Sequence, residues 1–140
     1  MSMRVASAPV SWGVMENIPL PEDYSSDRVL DEIAEAGYAG TELGPYGFLP
    51  TSANELRAVL AKRKLTLCSA FIEMDLGNAA KLEEGIATVL TSAKLISQAG
   101  AKLLVLSDAD VMPWMHRQAW MRSGKTLAAW WHHAIRQYAR

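Results

Sequence analysis

The sequence predicts an α/β fold in which parallel β-strands alternate with helices. Three junctions from helix to strand carry this prediction, and they lie near Gly37, Lys64 and Gly100. A glycine can end a helix because it has no Cβ and adopts the left-handed conformation without a clash. Alternation of this kind is typical of parallel strands joined by right-handed helical crossovers. Two architectures remain open, a doubly wound sheet and a (β/α)₈ barrel.

Four short, mostly apolar runs are the predicted strands. They cover residues 4–10, 38–43, 65–71 and 102–106. Runs of this length without strict alternation suit strands that are buried on both faces of a sheet. The second run contains one ionisable side chain, Glu42, near its C-terminal end.

Three amphipathic helices are predicted between these strands. Ser25, Ser26 or Asp27 can cap the first helix, and Ser52 with Glu55 has the pattern of a capping box for the second. We expect a cap at Asn78 for the third. The predicted buried faces are Val29, Leu30, Ile33 and Ala34; Leu56, Val59 and Leu60; and Leu82, Ile86, Val89, Leu90, Ala93 and Ile96.

The composition fits a protein with one hydrophobic core and no strong electrostatic partner. Half of the 140 residues are hydrophobic, and the net charge is -1. That charge gives no overall attraction to nucleic acid or to an anionic membrane. No apolar run approaches the ~20 residues of a membrane span. The single cysteine, Cys68, excludes an internal disulfide and is predicted to be a small buried side chain in a cytoplasmic protein.

Acidic side chains follow or end three of the predicted strands. They are Glu42, Glu73, Asp75, Asp108 and Asp110. The carboxyl ends of parallel strands share one rim of a barrel, where such groups can bind a divalent metal or move protons beside a carbonyl. For Asp75 and Asp110 we expect solvation or helix capping. For Glu42 we expect a function, because a carboxylate among apolar neighbours is costly to bury without a partner.

Other motifs give weaker signals. Trp12, after the first strand, could form a flat wall for a sugar ring or pack in the core, and the sequence favours neither role. Gly124-Lys125-Thr126 resembles the end of a phosphate-binding loop but lacks its first glycine, and His132-His133 has no nearby acidic or cysteine ligand in the tail. We expect neither of these two to bind a ligand.

Residues 111–140 differ in composition from residues 1–110. This tail has no acidic residue, and it contains four of the five tryptophans and all three histidines. Three origins remain open for it. It could be a basic, Trp-rich helix at a membrane surface, a helix that covers an exposed sheet edge or barrel face, or sequence translated out of frame.

Several of these segments resemble one known family. Ala8-Pro-Val-Ser-Trp12-Gly13 resembles the opening of xylose isomerase-like barrel proteins, the sugar phosphate isomerase/epimerase group, and most of all their inosose dehydratase-like members. The segment from Leu30 to Gly44 is similar to their first helix and second strand. The segment from Leu56 to Leu67 is similar to the next helix and strand. The likeness covers about residues 4–108.

This resemblance implies a TIM-type (β/α)₈ barrel, here truncated to about four βα units plus an atypical helical tail. It also implies chemistry on a sugar or cyclitol, by proton abstraction beside a carbonyl, that ends in isomerisation, epimerisation or dehydration. Glu42 is the predicted catalytic residue, and Trp12, Glu73 and Asp108 are the predicted substrate contacts. The full-length family implies a divalent metal, manganese or cobalt, but its main ligands come from later strands, so we predict none in this chain.

A second reading follows from the number of strands. A complete barrel of this type takes ~250 residues, and only four strands are predicted here. The outer strands then lack neighbours, and open strand edges favour pairing with another chain. The alternative is therefore a non-catalytic fragment or interaction module, with a homo-oligomer as one form of it.

Overall fold

The computed structural model describes residues 3–16, 18–20, 24–76 and 78–108, and it confirms the parallel α/β architecture. Within these ranges, strands and helices alternate along the chain. The elements are β1 (Ala6–Ser7), a short 3₁₀ helix (Pro9–Trp12), α1 (Ser26–Glu35), β2 (Gly40–Glu42), α2 (Ala53–Lys62), β3 (Thr66–Met74), α3 (Leu82–Ala99) and β4 (Leu103–Asp108).

The four strands form one sheet in the order β1-β2-β3-β4, and each neighbouring pair is parallel. Spatial order therefore equals chain order. A doubly wound sheet reverses its strand order at the point where ligands bind, whereas a barrel adds each new strand to the same side. The observed order is that of a truncated (β/α)₈ barrel. Among the described residues, β1 and β4 are the outer strands.

The helix ends mostly follow the predicted signals. The Oγ of Ser25 accepts the backbone N–H of Arg28 at 3.2 Å, so Ser25 is the cap of α1. Gly37 and Gly100 have φ values of 86° and 102°, the left-handed conformation expected after α1 and α3. The predicted cap at Asn78 is wrong. Its Oδ1 accepts the N–H of Ala80 at 3.1 Å, which forms a turn that ends before α3 begins.

The second helix begins as predicted, since the Oγ of Ser52 accepts the backbone N–H of Glu55 at 3.5 Å. The buried faces of α1 and α2 are also close to the prediction. Ala34 and Val59 are only half-buried. The buried residues are Val29, Leu30, Ile33, Leu56 and Leu60.

The predicted face of α3 is partly wrong. Leu90 is 64% exposed, while Ser92, Leu95 and Ile96 are buried. These three positions are spaced three and four residues apart, so they form one stripe, and α3 contacts both β3 and α2. Leu90 lies off that stripe. Hydrophobicity alone did not distinguish it from the residues of the stripe.

The strand ends also differ from the prediction. β1 is short because the chain enters the 3₁₀ helix at Pro9, whose ring has no N–H to donate to a strand and suits the first position of a helix. β3 continues past Phe71 to Met74, so Glu73 lies inside the strand rather than after it. β4 likewise includes Asp108. Pairing from Ser69 with Leu103 to Met74 with Asp108 sustains both strands over these residues.

The predicted tail, residues 111–140, lies outside the described residues, as does Asp110. The proposed boundary at residue 110 therefore stays a prediction. Within the part of the chain that the structure does describe, no helix is long and apolar enough to cross a membrane.

Candidate functional site

A pocket of ≈ 370 Å³ lies beside the C-terminal ends of β2 and β3 and the segment after β1. Pockets for small molecules in proteins are of this size and have mostly apolar walls with a few polar groups. The apolar lining residues include Val10, Val14, Met15 and Phe71, and the acidic ones include Glu42 and Glu73. The structure therefore brings together two of the acidic residues that the sequence singled out.

Glu42 is half-buried at the end of β2, and its carboxylate has a defined partner. The hydroxyl of Ser69 donates a hydrogen bond to Glu42 Oε1 at 2.8 Å. Ser69 is only 3% exposed. A hydrogen bond from a buried hydroxyl to a carboxylate is charge-assisted, and it compensates part of the cost of removing Glu42 from water.

A β-bulge lies between β2 and β3 next to this hydrogen bond. Thr41 pairs with Leu67, but Glu42 pairs with Ser69, so Cys68 is the extra residue in β3. The thiol of Cys68 lies 3.1 Å from the carbonyl oxygen of Thr41 and can donate to it. Bulges often occur near functional sites, where they redirect a side chain. Cys68 is half-buried rather than fully buried as predicted.

Phe71 and Glu73 lie on the same face of β3, because side chains alternate along a strand. The residues that alternate with them on the opposite face, Ile72 and Met74, are buried, and Met74 lies beside Gly85 of α3. A strand rises about 3.3 Å per residue, so Glu73 lies roughly 13 Å along β3 from Ser69. Glu42 and Glu73 therefore line different parts of the pocket, and Glu42 is the more buried of the two.

Trp12 is not among the residues that line the pocket. Its indole Nε1–H donates to Glu32 Oε2 at 2.8 Å, and its ring contacts Tyr38 edge-to-face with centroids 6.3 Å apart. It also packs against the hydrophobic core as a partly buried side chain. Of the two roles that the sequence left open, these contacts favour packing.

Asp75 and Asp108 are not among the residues that line the pocket. Asp108 Oδ1 accepts the backbone N–H of Leu76 at 3.2 Å, which joins the end of β4 to the turn after β3. Asp75 lies 3.9 Å from the ammonium group of Lys81. The predicted substrate contact at Asp108 therefore stays a prediction, and its observed contact is with the backbone.

Ser69 and Phe71 are among the residues of the site that the reasoning from sequence missed. Both lie inside the run that was predicted as a buried strand. The available signal for Ser69 was a hydroxyl within an apolar strand, which needs a partner when it is buried. For Phe71 no signal in the sequence distinguishes a pocket wall from the core.

Glu42 and Glu73 do not by themselves form a metal site. Among the residues that the structure describes, no group of three or more His, Cys, Asp or Glu side chains could hold a metal ion. Divalent cations in proteins take several oxygen ligands. The described residues therefore do not fit the manganese or cobalt ion that the resemblance implies.

Several known proteins are similar to this chain in sequence. The chain is 34% identical over 118 residues to inosose dehydratase from Geobacillus kaustophilus (strain HTA426), a match that covers 83% of this chain and 37% of that protein. It is 30% identical over 107 residues to inosose dehydratase from Mesomycoplasma hyopneumoniae (strain 7448), covering 76% and 34%. It is 30% identical over 112 residues to the rhizopine catabolism protein MocC from Rhizobium meliloti, covering 79% and 33%.

The chain thus spans about a third of the length of the curated relatives it matches. No family model matches it. Among solved structures, it is similar to a xylose isomerase-like TIM barrel/4-hydroxyphenylpyruvate dioxygenase fusion protein, with a TM-score of 0.51 and 20% identity over 80% of this chain and 18% of that one. This second likeness concerns the fold. Together with the sequence relatives, it supports the resemblance to xylose isomerase-like TIM barrel proteins, and the described residues form four parallel strands of such a barrel.

Proposed function

We propose that this chain contributes the Glu42 side of an active site that removes a proton beside the carbonyl group of a cyclitol or sugar. The observation that carries the proposal is the half-buried carboxylate of Glu42, which lines an apolar pocket and accepts a hydrogen bond from Ser69. The names of the relatives favour a keto-cyclitol as substrate and loss of water as the reaction.

In this proposal, an oxygen of Glu42 takes the proton from the carbon beside the carbonyl, and the electron pair of that C–H bond forms an enolate. In a dehydration, the hydroxyl group on the next carbon then leaves and takes up a proton as water. In an isomerisation or epimerisation, the proton returns to a carbon instead. We assign no step to a metal ion, since the residues that the structure describes do not form a site for one.

The other predicted substrate contacts have different roles in this proposal. Glu73 lines the same pocket, and its exposed carboxylate can accept hydrogen bonds from substrate hydroxyl groups. Trp12 supports the pocket indirectly, through its contact with Glu32 on α1. Asp108 contributes indirectly as well, through its hydrogen bond to the turn after β3. We place this chemistry in the cytoplasm, as the sequence predicts from its single cysteine.

Hydrogen exchange tests the proton abstraction without requiring the whole reaction. The chain is mixed with inosose in D₂O, and replacement of the hydrogens beside the carbonyl is followed by ¹H NMR. We expect exchange to be faster with the chain than in buffer alone. Loss of a general base slows proton abstraction by about 10² or more, so Glu42→Gln should remove this acceleration. The matched control is Glu35→Gln, which changes an exposed acid on α1. Exchange at the buffer rate, or equal rates for Glu42→Gln and the unchanged chain, contradicts the proposal.

A second function is favoured by a different observation, the exposed apolar face of the sheet. Phe71, Leu103 and Val105 are 43%, 59% and 38% exposed. Phe71 pairs with Val105 and Ser69 with Leu103, so these side chains lie on the face that a complete barrel encloses. We propose that the chain associates through this face and the outer edges of β1 and β4, with a second copy as the simplest partner.

A further inference from the structure

The bulge at Cys68 determines which side chains of β3 face the pocket. A one-residue shift in register moves every later side chain of a strand to the opposite face. With Cys68 as the extra residue, Ser69, Phe71 and Glu73 share the face of Glu42, and Ala70 and Ile72 lie buried on the other. Without the shift, Glu42 would pair with Cys68, because Thr41 pairs with Leu67, and Ser69 would face the opposite side of the sheet.

The backbone groups on both sides of Glu42 make hydrogen bonds with β3 at the bulge. The thiol of Cys68 can donate to the carbonyl oxygen of Thr41, which precedes Glu42. The backbone N–H of Leu43, which follows Glu42, donates to the carbonyl oxygen of Ser69 at 2.9 Å. Ser69 therefore contacts this segment twice, through its carbonyl to Leu43 and through its hydroxyl to the carboxylate of Glu42.

We propose that Ser69 is a positioning residue for Glu42, and that the bulge at Cys68 exists to place its hydroxyl there. The hydroxyl holds Oε1, which fixes the side chain in one rotamer and directs the second oxygen toward the pocket. Charge-assisted hydrogen bonds of this kind combine strength with a fixed direction. The proposal rests on the proposed function only in that the positioned carboxylate is the base of that reaction.

The rotamer of Glu42 tests the positioning directly, without any ligand. Three-bond couplings from Cγ to the backbone nitrogen and to the carbonyl carbon report the population of χ1 rotamers in solution. We expect one dominant rotamer in the unchanged chain, averaged couplings in Ser69→Ala, and a dominant rotamer again in Ser69→Thr, which keeps a hydroxyl. The matched control is Ser92→Ala, which removes another buried hydroxyl from α3, outside the pocket lining. A dominant Glu42 rotamer in Ser69→Ala overturns the proposal.

Ligand affinity separates this proposal from the proposed function. We expect Ser69→Ala to weaken inosose binding by roughly tenfold, as loss of a hydrogen bond to a charged group does, and Ser92→Ala to leave it unchanged. If the unchanged chain does not bind inosose, the proposed function fails and the couplings alone decide the role of Ser69. If Ser69→Ala does not fold, Ser69→Cys replaces it, since a thiol is a weak donor. Couplings in folded Ser69→Cys equal to those of the unchanged chain count against the proposal.

Discussion

The indole of Trp12 donates a hydrogen bond to the carboxylate of Glu32, with 2.8 Å between Nε1 and Oε2. This contact joins the 3₁₀ helix after β1 to the middle of α1. The same short helix carries Val10, which lines the pocket. Glu32 is held in turn by Arg28, whose Nε lies 2.9 Å from Oε1. The pocket wall formed by the segment after β1 is thus supported from behind by contacts outside the pocket lining.

Replacement of Trp12 by Phe should reduce stability more than it changes binding. The substitution removes the hydrogen bond to Glu32 and part of the ring contact with Tyr38, and we expect a loss of about 1–2 kcal/mol in the free energy of unfolding. Urea denaturation measures it, with exposed Tyr46→Phe as control. A large loss of inosose affinity at unchanged stability would instead assign Trp12 the substrate contact that the sequence left open.

The guanidinium of Arg63 joins α2 to α1 and makes stability depend on pH in acid. The side chain of Arg63 is 5% exposed and contacts both Asp27 and Asp31. The hydrogen bond from Arg63 lowers the pKa of Asp31 below its ordinary value of 3.8. An acid with a lower pKa in the folded state contributes stability that is present above pH 3.8 and lost as the pH falls through the folded-state pKa.

We therefore expect Asp31→Asn to be less stable than the unchanged chain at pH 7, and the difference to shrink as the pH falls below about 4. Urea melts at pH 7, 5, 4 and 3 measure this difference. Glu35→Gln is the control, since Glu35 is an exposed acid at the end of the same helix. A difference in stability between Asp31→Asn and the unchanged chain that is the same at all four pH values would show that it does not come from the ion pair with Arg63.

Gly40 is required by the close approach of β2 to β3. A Cβ at this position would lie 2.6 Å from the backbone oxygen of Thr66, which cannot move without breaking the strand pairing. We expect Gly40→Ala to cost about 2–3 kcal/mol of stability, at the upper end for overpacking. The comparison is Gly85→Ala in α3, where the nearest atom, Met74 Cγ, is also 2.6 Å away but belongs to a side chain rather than to paired backbone, and where the helical position favours alanine. Equal melting temperatures for the two variants would contradict this account of Gly40.

The exposed face of β4 should drive association of the chain. We expect analytical ultracentrifugation to give a mass above that of one chain, and Leu103→Lys with Val105→Lys to shift it toward the monomer, because buried charges without partners are costly. Leu90→Lys is the control, since it removes an exposed leucine from α3 rather than from the sheet. A monomeric unchanged chain, or equal shifts in both variants, would contradict association through this face.

The fold was predictable because its signals are local. A serine before each of α1 and α2, and a glycine after α1 and α3, determine where helices start and stop through contacts within a few residues. The strand ends were less predictable, since β3 continues through Glu73 only because β4 pairs with it. Glu42 was predictable as an isolated acid in an apolar run.

The partners of Glu42 were not predictable in the same way. The bulge at Cys68 depends on the register between two strands that are far apart in sequence, and nothing local marks it. The direction of Trp12 depends on Glu32 in the next helix, and the exposure of Leu90 on which stripe of α3 contacts the sheet. In each case the deciding contact is a tertiary one, so it cannot be predicted from composition and periodicity alone.

The central claim is that the pocket beside Glu42 takes a keto-cyclitol, and chemical-shift mapping tests it most directly. The chain is labelled with ¹⁵N and titrated with inosose. We predict shifts that cluster at pocket residues such as Val10, Glu42 and Phe71, and that weaken in Glu42→Gln but not in Glu35→Gln. Shifts confined to the polar groove around Ser52 and Arg57, or no shifts at millimolar inosose, would contradict it.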